Sequence, residues 1–140
     1  MTTLPPKFVD WFATKGWSIH PHQAEMLARA DEPSLLLIAP TGGGKTLAGF
    51  LPTLVELSQA PHDGLHTLYV SPLKALAADI KRNLGTPIDD MGLSIRVEDR
   101  TGDTSYTQKR RQRADPPHIL LTTPESLALL VSYEDAPRIF

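Results

Sequence analysis

The residues best suited to chemistry form a glycine-rich segment, Ala39-Pro40-Thr41-Gly42-Gly43-Gly44-Lys45-Thr46. It follows an apolar run and precedes a segment of helical periodicity, the strand-to-helix context of a phosphate-binding loop. The glycines leave the backbone free to wrap phosphate oxygens, and Ala39 stands where the common pattern has another glycine. Lys45 would reach the β and γ phosphates and Thr46 would bind Mg²⁺. The pattern predicts an ATP site built from residues 39–46, with Lys45 and Thr46 as its catalytic residues and Mg²⁺ held through ATP.

Gln23 is a second candidate for nucleotide contact, just inside a predicted helix that precedes the glycine-rich segment. Its carboxamide can both donate and accept hydrogen bonds, as the N6 and N7 edge of adenine requires. From position alone, however, a solvated glutamine on an amphipathic helix is the favoured interpretation. The nearby His20 and His22 lack a third ligand, so we predict surface histidines and no metal site.

Alternating periodicities predict the elements that position these residues. Repeated βα units imply a parallel sheet with helices on both faces, joined by right-handed crossovers. The fold class is therefore α/β. The predicted helices cover residues 6–15 (with Gly16 at its end), 21–30, 45–59, 73–83, 104–114 and 125–132, and the predicted strands cover 35–38 (buried), 67–70, 94–98 and 118–122.

Two predicted strands end in a hydroxyl residue followed by proline, at Ser71-Pro72 and at Thr123-Pro124. We expect each hydroxyl at the N-cap and each proline at the first position of the next helix. The carboxyl edge of a parallel sheet is where ligands bind, and helix starts offer free N–H groups and partial positive charge there. The glycine-rich loop accounts for one set of phosphates. The other two helix starts could face the backbone of a nucleic acid.

Composition excludes several other classes. The 140 residues are 41% hydrophobic and 21% charged, which is typical of a folded globular domain, and there is no cysteine. No apolar run is long enough to span a membrane and the start lacks a signal peptide, so we expect a cytoplasmic protein without membrane partners.

Net charge does not by itself favour a nucleic acid. It is −2, so a polyanion would have to be held by local geometry. The basic run Lys109–Arg113 is interpreted as a solvated helical face, and the segment Arg100–Thr104 as a polar loop in which Asp103 or Thr104 caps the next helix.

Five segments, in order, resemble one family. They are the stretch ending at Gln23, the segment 39–46, Ser71-Pro72-Leu73-Lys74-Ala75-Leu76-Ala77, Arg100-Thr101-Gly102-Asp103-Thr104 and Thr122-Thr123-Pro124-Glu125-Ser126-Leu127. Together they resemble the amino-terminal RecA-like half-motor of superfamily-two DExH-box helicases, within which the chain is most similar to the large helicase-related type, especially bacterial ligase-associated DExH-box helicases.

The resemblance implies roles for particular residues. Gln23 would read adenine, and Lys45 and Thr46 would handle phosphate and Mg²⁺. ATP hydrolysis would drive movement along single-stranded DNA and displacement of the complementary strand, with DNA repair proteins as further partners and partly duplex DNA or RNA as related substrates. The implied nucleic-acid contacts are Ser71, Pro72, Leu73, Lys74, Arg100, Thr101, Gly102, Asp103, Thr123, Pro124 and Glu125.

The chain departs from the family pattern at its end. The family continues to an Asp-Glu-x-His strand and to a second RecA-like domain with arginine fingers, and neither is in this sequence. We interpret residues 1–140 as the amino-terminal part of the first RecA-like domain, with a helical lead-in at 1–33 and βα units at 34–140. By itself this chain is expected not to turn ATP over. The alternatives are a nucleotide-binding module that does not hydrolyse ATP, and a P-loop kinase of small metabolites.

Overall fold

The structure is a computed structural model that describes residues 4–38, 45–60 and 62–140. It divides into two compact units, Met1–Ala60 with Asp89–Leu93 and Pro61–Ile88 with Ser94–Phe140. The predicted phosphate-binding residues 39–44 lie outside the described part of the chain.

The described residues of the first unit form three helices, α1 (Pro6–Thr14), α2 (Pro21–Ala28) and α3 (Lys45–Gln59). The aromatic residues of α1 form part of its core, because Phe8, Trp11 and Phe12 are all buried. The predicted stop at Gly16 is confirmed: its φ is +69°, and its N–H donates to the Ala13 carbonyl at 3.0 Å. Glycine fits here since other residues rarely adopt this left-handed conformation.

The prediction of a buried strand at residues 35–38 is wrong. The structure has no strand there, and Leu36 and Ile38 are 86% and 84% exposed. An apolar run indicates a preference for burial, whereas a strand also needs the backbone of a neighbouring strand to pair with. Among the described residues the sheet contains three strands, and none of them pairs with this segment.

The second unit contains a parallel sheet. Its strands are β1 (Thr67–Val70), β2 (Val97–Arg100) and β3 (Ile119–Thr122), in the spatial order β1-β3-β2. The central strand β3 is buried at all four positions. In both strand pairs the last residues align, Val70 with Thr122 and Arg100 with Thr122. The predicted parallel α/β arrangement is confirmed.

A helix follows each of these strands, and a second helix follows the last one. They are α4 (Lys74–Met91), α5 (Tyr106–Ala114), α6 (Pro124–Val131) and α7 (Ala136–Ile139). Helix α4 extends eight residues beyond its predicted end at Asn83, through Gly85 and Pro87. These two residues usually interrupt helices, but the apolar residues Ile88 and Met91 beyond them are buried, and tertiary packing overrides the local preference.

Candidate functional site

The described residues of the predicted phosphate-binding loop lie at the start of α3. Lys45 and Thr46 are the first two residues of this helix, and both are exposed. Ala48, two residues beyond Thr46, is fully buried and anchors the helix in its unit. The first-turn N–H groups of a helix have no partner within the helix, so they add to the donors that Lys45 and Thr46 can offer a phosphate.

Gln23 is positioned by its own helix start. It is only 3% exposed, so the interpretation as a solvated surface glutamine is wrong. Its Oε1 accepts a hydrogen bond from the backbone N–H of His20 at 2.9 Å. Because a backbone N–H can only donate, this contact fixes which end of the carboxamide is the oxygen. Contact between Gln23 and adenine remains a prediction.

The two histidines beside Gln23 lie against each other. The rings of His20 and His22 stack with their centroids 5.4 Å apart. No group of three or more possible metal ligands occurs within residues 4–38, 45–60 and 62–140.

The predicted nucleic-acid contacts come together in the second unit, at the carboxyl edge of the sheet. Ser71 follows β1, Thr123 follows β3 and Thr101 follows β2, and the parallel register brings these strand ends side by side. The Ser71 N–H donates to the Thr122 carbonyl at 3.0 Å. The Thr122 hydroxyl donates to the Arg100 carbonyl at 2.7 Å. One edge thus holds all three segments.

The start of α6 has the predicted geometry. Thr123 is its N-cap and Pro124 its first residue. The Thr123 Oγ1 accepts from the Ser126 N–H at 3.4 Å and donates to the Ser126 Oγ at 3.2 Å. Pro124 and Glu125 are exposed at this start, whereas Thr123 and Ser126 are buried beneath them.

The start of α4 differs from the prediction. The helix begins at Lys74, so Ser71 is not its N-cap and Pro72 is not its first residue. Instead, the Ser71 Oγ accepts from the Leu73 N–H at 3.3 Å in a tight turn. The Ser-Pro pattern fits both geometries, because a serine hydroxyl can close a turn as well as cap a helix.

Several backbone donors at these two helix starts have no partner among the described residues. Within the residues that the structure describes, the N–H groups of Lys74, Ala75 and Glu125 donate to no acceptor. Free N–H groups at a helix start, together with the helix dipole, favour an anion. This edge can therefore accept phosphate groups at two neighbouring places.

The segment after β2 closes on itself. The Thr101 N–H donates to the Thr104 Oγ1 at 3.0 Å, and the Asp103 N–H donates to the Thr101 Oγ1 at 3.2 Å. The expectation that Asp103 or Thr104 caps α5 is wrong, because Ser105 caps it by accepting from the Gln108 N–H at 3.2 Å. The Thr104 hydroxyl accepts a hydrogen bond within the turn, and the hydroxyl of the next residue, Ser105, caps the helix.

Arg100 has a structural role that the sequence did not reveal. It is 3% exposed, and its guanidinium donates to the Lys109 carbonyl at 3.0 Å and to the Gln112 Oε1 at 3.3 Å. Burial, with the charge of Arg113 as a smaller cause, lowers the pKa of the Arg100 guanidinium. These bonds hold α5 against the end of β2. Contact between Arg100 and nucleic acid remains a prediction.

The basic run on α5 is only partly a solvated face. Arg111 pairs with the buried Glu98 at 3.0 Å. Arg113 pairs with Asp135 at 2.9 Å, and its guanidinium lies 3.9 Å from the centre of the Tyr133 ring. Lys109 and Arg110 form no ion pair with any described residue, so two of the four basic residues fit the solvated interpretation.

Thr122 is the positioning residue that the motif analysis missed. Its side chain is fully buried, and it joins β3 to the last residue of β2. The available signal was a hydroxyl residue at the end of the apolar strand Ile119–Thr122, since a buried hydroxyl needs a hydrogen-bond partner.

The comparisons with known proteins agree with this architecture. The chain belongs to the DEAD/DEAH box helicase family, whose model matches residues 20–138. The chain is similar to the Lhr helicase/probable uracil glycosylase of Mycolicibacterium smegmatis, with 44% identity over 137 residues covering 88% of this chain and 9% of that protein. The ATP-dependent helicase Lhr-Core of Methanocaldococcus jannaschii is 40% identical over 139 residues, covering 88% of this chain and 16% of that protein.

A solved structure gives the same result. The structure of Mycobacterium smegmatis helicase Lhr bound to ssDNA and AMP-PNP matches with a TM-score of 0.84 and 42% identity, over 94% of this chain and 18% of that one. The RecA-like fold and the resemblance to the large helicase-related type are thus confirmed, while the narrower likeness to ligase-associated helicases remains a prediction. The chain spans under a fifth of each of these three proteins. No helix in the described part of the chain is long and apolar enough to cross a membrane.

Proposed function

We propose that this chain is the amino-terminal part of the first RecA-like domain of an ATP-dependent DNA helicase. The observation that carries the proposal is the alignment of three strand ends at one sheet edge, which gathers every predicted nucleic-acid segment. Family membership supports it, as does the similarity to an Lhr structure that holds ssDNA and AMP-PNP.

On this proposal the sheet edge holds the backbone of a single DNA strand. The free N–H groups of Lys74, Ala75 and Glu125 would donate to phosphate oxygens, and the Lys74 ammonium would add one charge. Contacts to the backbone carry no sequence information, which suits a motor that must move along any sequence. The buried Thr122 would position this surface without contacting the DNA strand.

The nucleotide would lie at the start of α3. Lys45 would hold the β and γ phosphates, Thr46 would donate an oxygen ligand to Mg²⁺, and Gln23 would bond the edge of adenine. The exposure of Lys45 and Thr46 at the first turn fits a phosphate ligand. Bound Mg²⁺ would neutralise charge on the β and γ phosphates. ATP turnover would then drive translocation along single-stranded DNA and the unwinding of duplexes, in the service of DNA repair.

The test is nucleotide-dependent binding of single-stranded DNA by the intact protein. We expect a fluorescent oligonucleotide to bind at least several-fold more tightly with Mg²⁺ and AMP-PNP than without nucleotide. Lys45→Ala should remove this dependence and leave basal DNA binding in place, because its side chain acts on phosphate and not on DNA. Equal DNA affinity with and without nucleotide would rule out a coupled motor and leave a nucleotide-binding module.

A further inference from the structure

The exposed charges on the proposed DNA-binding edge do not favour a polyanion. Among the predicted contact residues that are exposed there, Lys74 is the one cation, while Asp103 and Glu125 are carboxylates. Arg100 is buried and bonded within the fold, so it does not shift this balance. A carboxylate at this position repels the phosphates that the edge is proposed to hold, and its presence needs a reason.

Asp103 already has a partner, and that partner is Lys74. The Lys74 Nζ lies 3.4 Å from the Asp103 Oδ1. The same ammonium lies over Gly102, 3.5 Å from where a β-carbon on residue 102 would stand. The absence of a side chain at Gly102 gives the lysine room to lie across the turn and reach the carboxylate.

The ion pair crosses the centre of the edge. Lys74 follows β1 and Asp103 follows β2, and β3 lies between these two strands. Neighbouring strands are about 4.8 Å apart, so the pair spans roughly two strand spacings across the carboxyl end of β3. Thr123, the cap of α6, stands at that end. The pair therefore joins the segments on either side of the α6 start.

We infer that the Lys74–Asp103 pair is an exchangeable latch, in which a DNA phosphate displaces Asp103 as the partner of Lys74. The inference rests on the proposed function of this edge. Both side chains are largely exposed, 56% for Lys74 and 80% for Asp103, and an exposed pair of this kind is weak enough to exchange. Without DNA the ion pair holds Lys74 extended across the edge, and Asp103 occupies the position beside the Lys74 ammonium that another anion could bind.

The latch has a direct consequence for affinity. Removing the charge of Asp103 frees Lys74 and removes a repulsion, so Asp103→Asn should tighten binding of single-stranded DNA in the intact protein about two- to fivefold at roughly 50 mM salt. The gain should shrink towards onefold near 0.5 M salt, because exposed charges are screened. Lys74→Gln should weaken binding, and Asp103→Asn added to it should give a clearly smaller gain, because only the repulsion is then relieved.

A matched control is Asp115→Asn. Asp115 is likewise an exposed carboxylate in an ion pair, in its case with Arg96 at 2.8 Å. It lies after α5, and Arg96 precedes β2 at the amino edge of the sheet. Asp115→Asn removes one negative charge from the same unit as Asp103→Asn does, and it should leave DNA affinity unchanged.

The measurement is fluorescence anisotropy of a labelled single-stranded oligonucleotide across a salt series, with AMP-PNP present. A pair-specific gain from Asp103→Asn supports the latch. Unchanged or weaker binding by Asp103→Asn overturns it, as does an equal gain in the Lys74→Gln background, which would show general repulsion and no exchange. If the unaltered protein binds no DNA, the proposed function itself fails, and the latch fails with it.

Discussion

The Thr122 hydroxyl donates to the backbone carbonyl of Arg100 at 2.7 Å, and this bond is buried. It joins the last residue of β3 to the last residue of β2, at the point where the loops of the proposed DNA edge begin. The ends of β2 and β3 are therefore joined by this side-chain hydrogen bond as well as by the backbone pairing of the two strands. A substitution at Thr122 therefore changes the support beneath the proposed DNA-binding surface without changing the residues that would contact DNA.

Thr122→Val should destabilise the protein by about 1–3 kcal/mol, because valine keeps the shape and leaves the buried Arg100 carbonyl without its hydroxyl donor. Thermal or urea unfolding of the intact protein measures the change. Thr122→Ser is the control: it keeps the hydroxyl and loses one methyl group, which should cost about 1 kcal/mol. If valine proved as stable as threonine, the bond would have no structural value.

Gln23 has two separable roles, one shown and one proposed. Its Oε1 accepts from the His20 N–H at the start of α2, and its carboxamide is proposed to bond adenine. Gln23→Glu keeps an acceptor for His20, and glutamate suits this position of a helix start. It removes the NH₂ group that adenine N7 would need. We expect little loss of stability and at least a tenfold rise in the KM for ATP in the intact protein.

Gln23→Leu completes the comparison, because leucine removes both the cap and the proposed adenine contact. It should lower stability by about 1 kcal/mol and also raise the KM for ATP. An unchanged KM in Gln23→Glu would show that Gln23 serves only as a helix cap.

The sequence predicted the parts of the fold that depend on local pattern. The helix at Lys45–Gln59, the strand at Thr67–Val70 and the α6 start at Thr123-Pro124 all match, because apolar periodicity and cap chemistry are encoded in neighbouring residues. The end of α1 at Gly16 matches for the same reason, since a left-handed φ favours glycine.

The errors arise where distant residues decide the outcome. Leu36 and Ile38 are apolar enough for a strand, but the sequence does not show whether a partner strand will pair with them. Helix α4 continues past Pro87 because residues beyond it are buried. Arg100 looked like a loop residue available to a ligand, and its burial depends on Gln112 and Lys109, which come from the following helix.

We propose that one sheet edge holds the backbone of a DNA strand, and hydrogen–deuterium exchange of the intact protein with single-stranded DNA and AMP-PNP is the decisive test. We predict slower exchange in peptides covering residues 71–77 and 123–127, where free helix-start N–H groups would bond phosphates. Peptides covering 94–97 and 115–119, at the opposite edge of the sheet, should be unaffected. Binding of DNA with no added protection at either helix start would show that the DNA strand lies elsewhere on the protein.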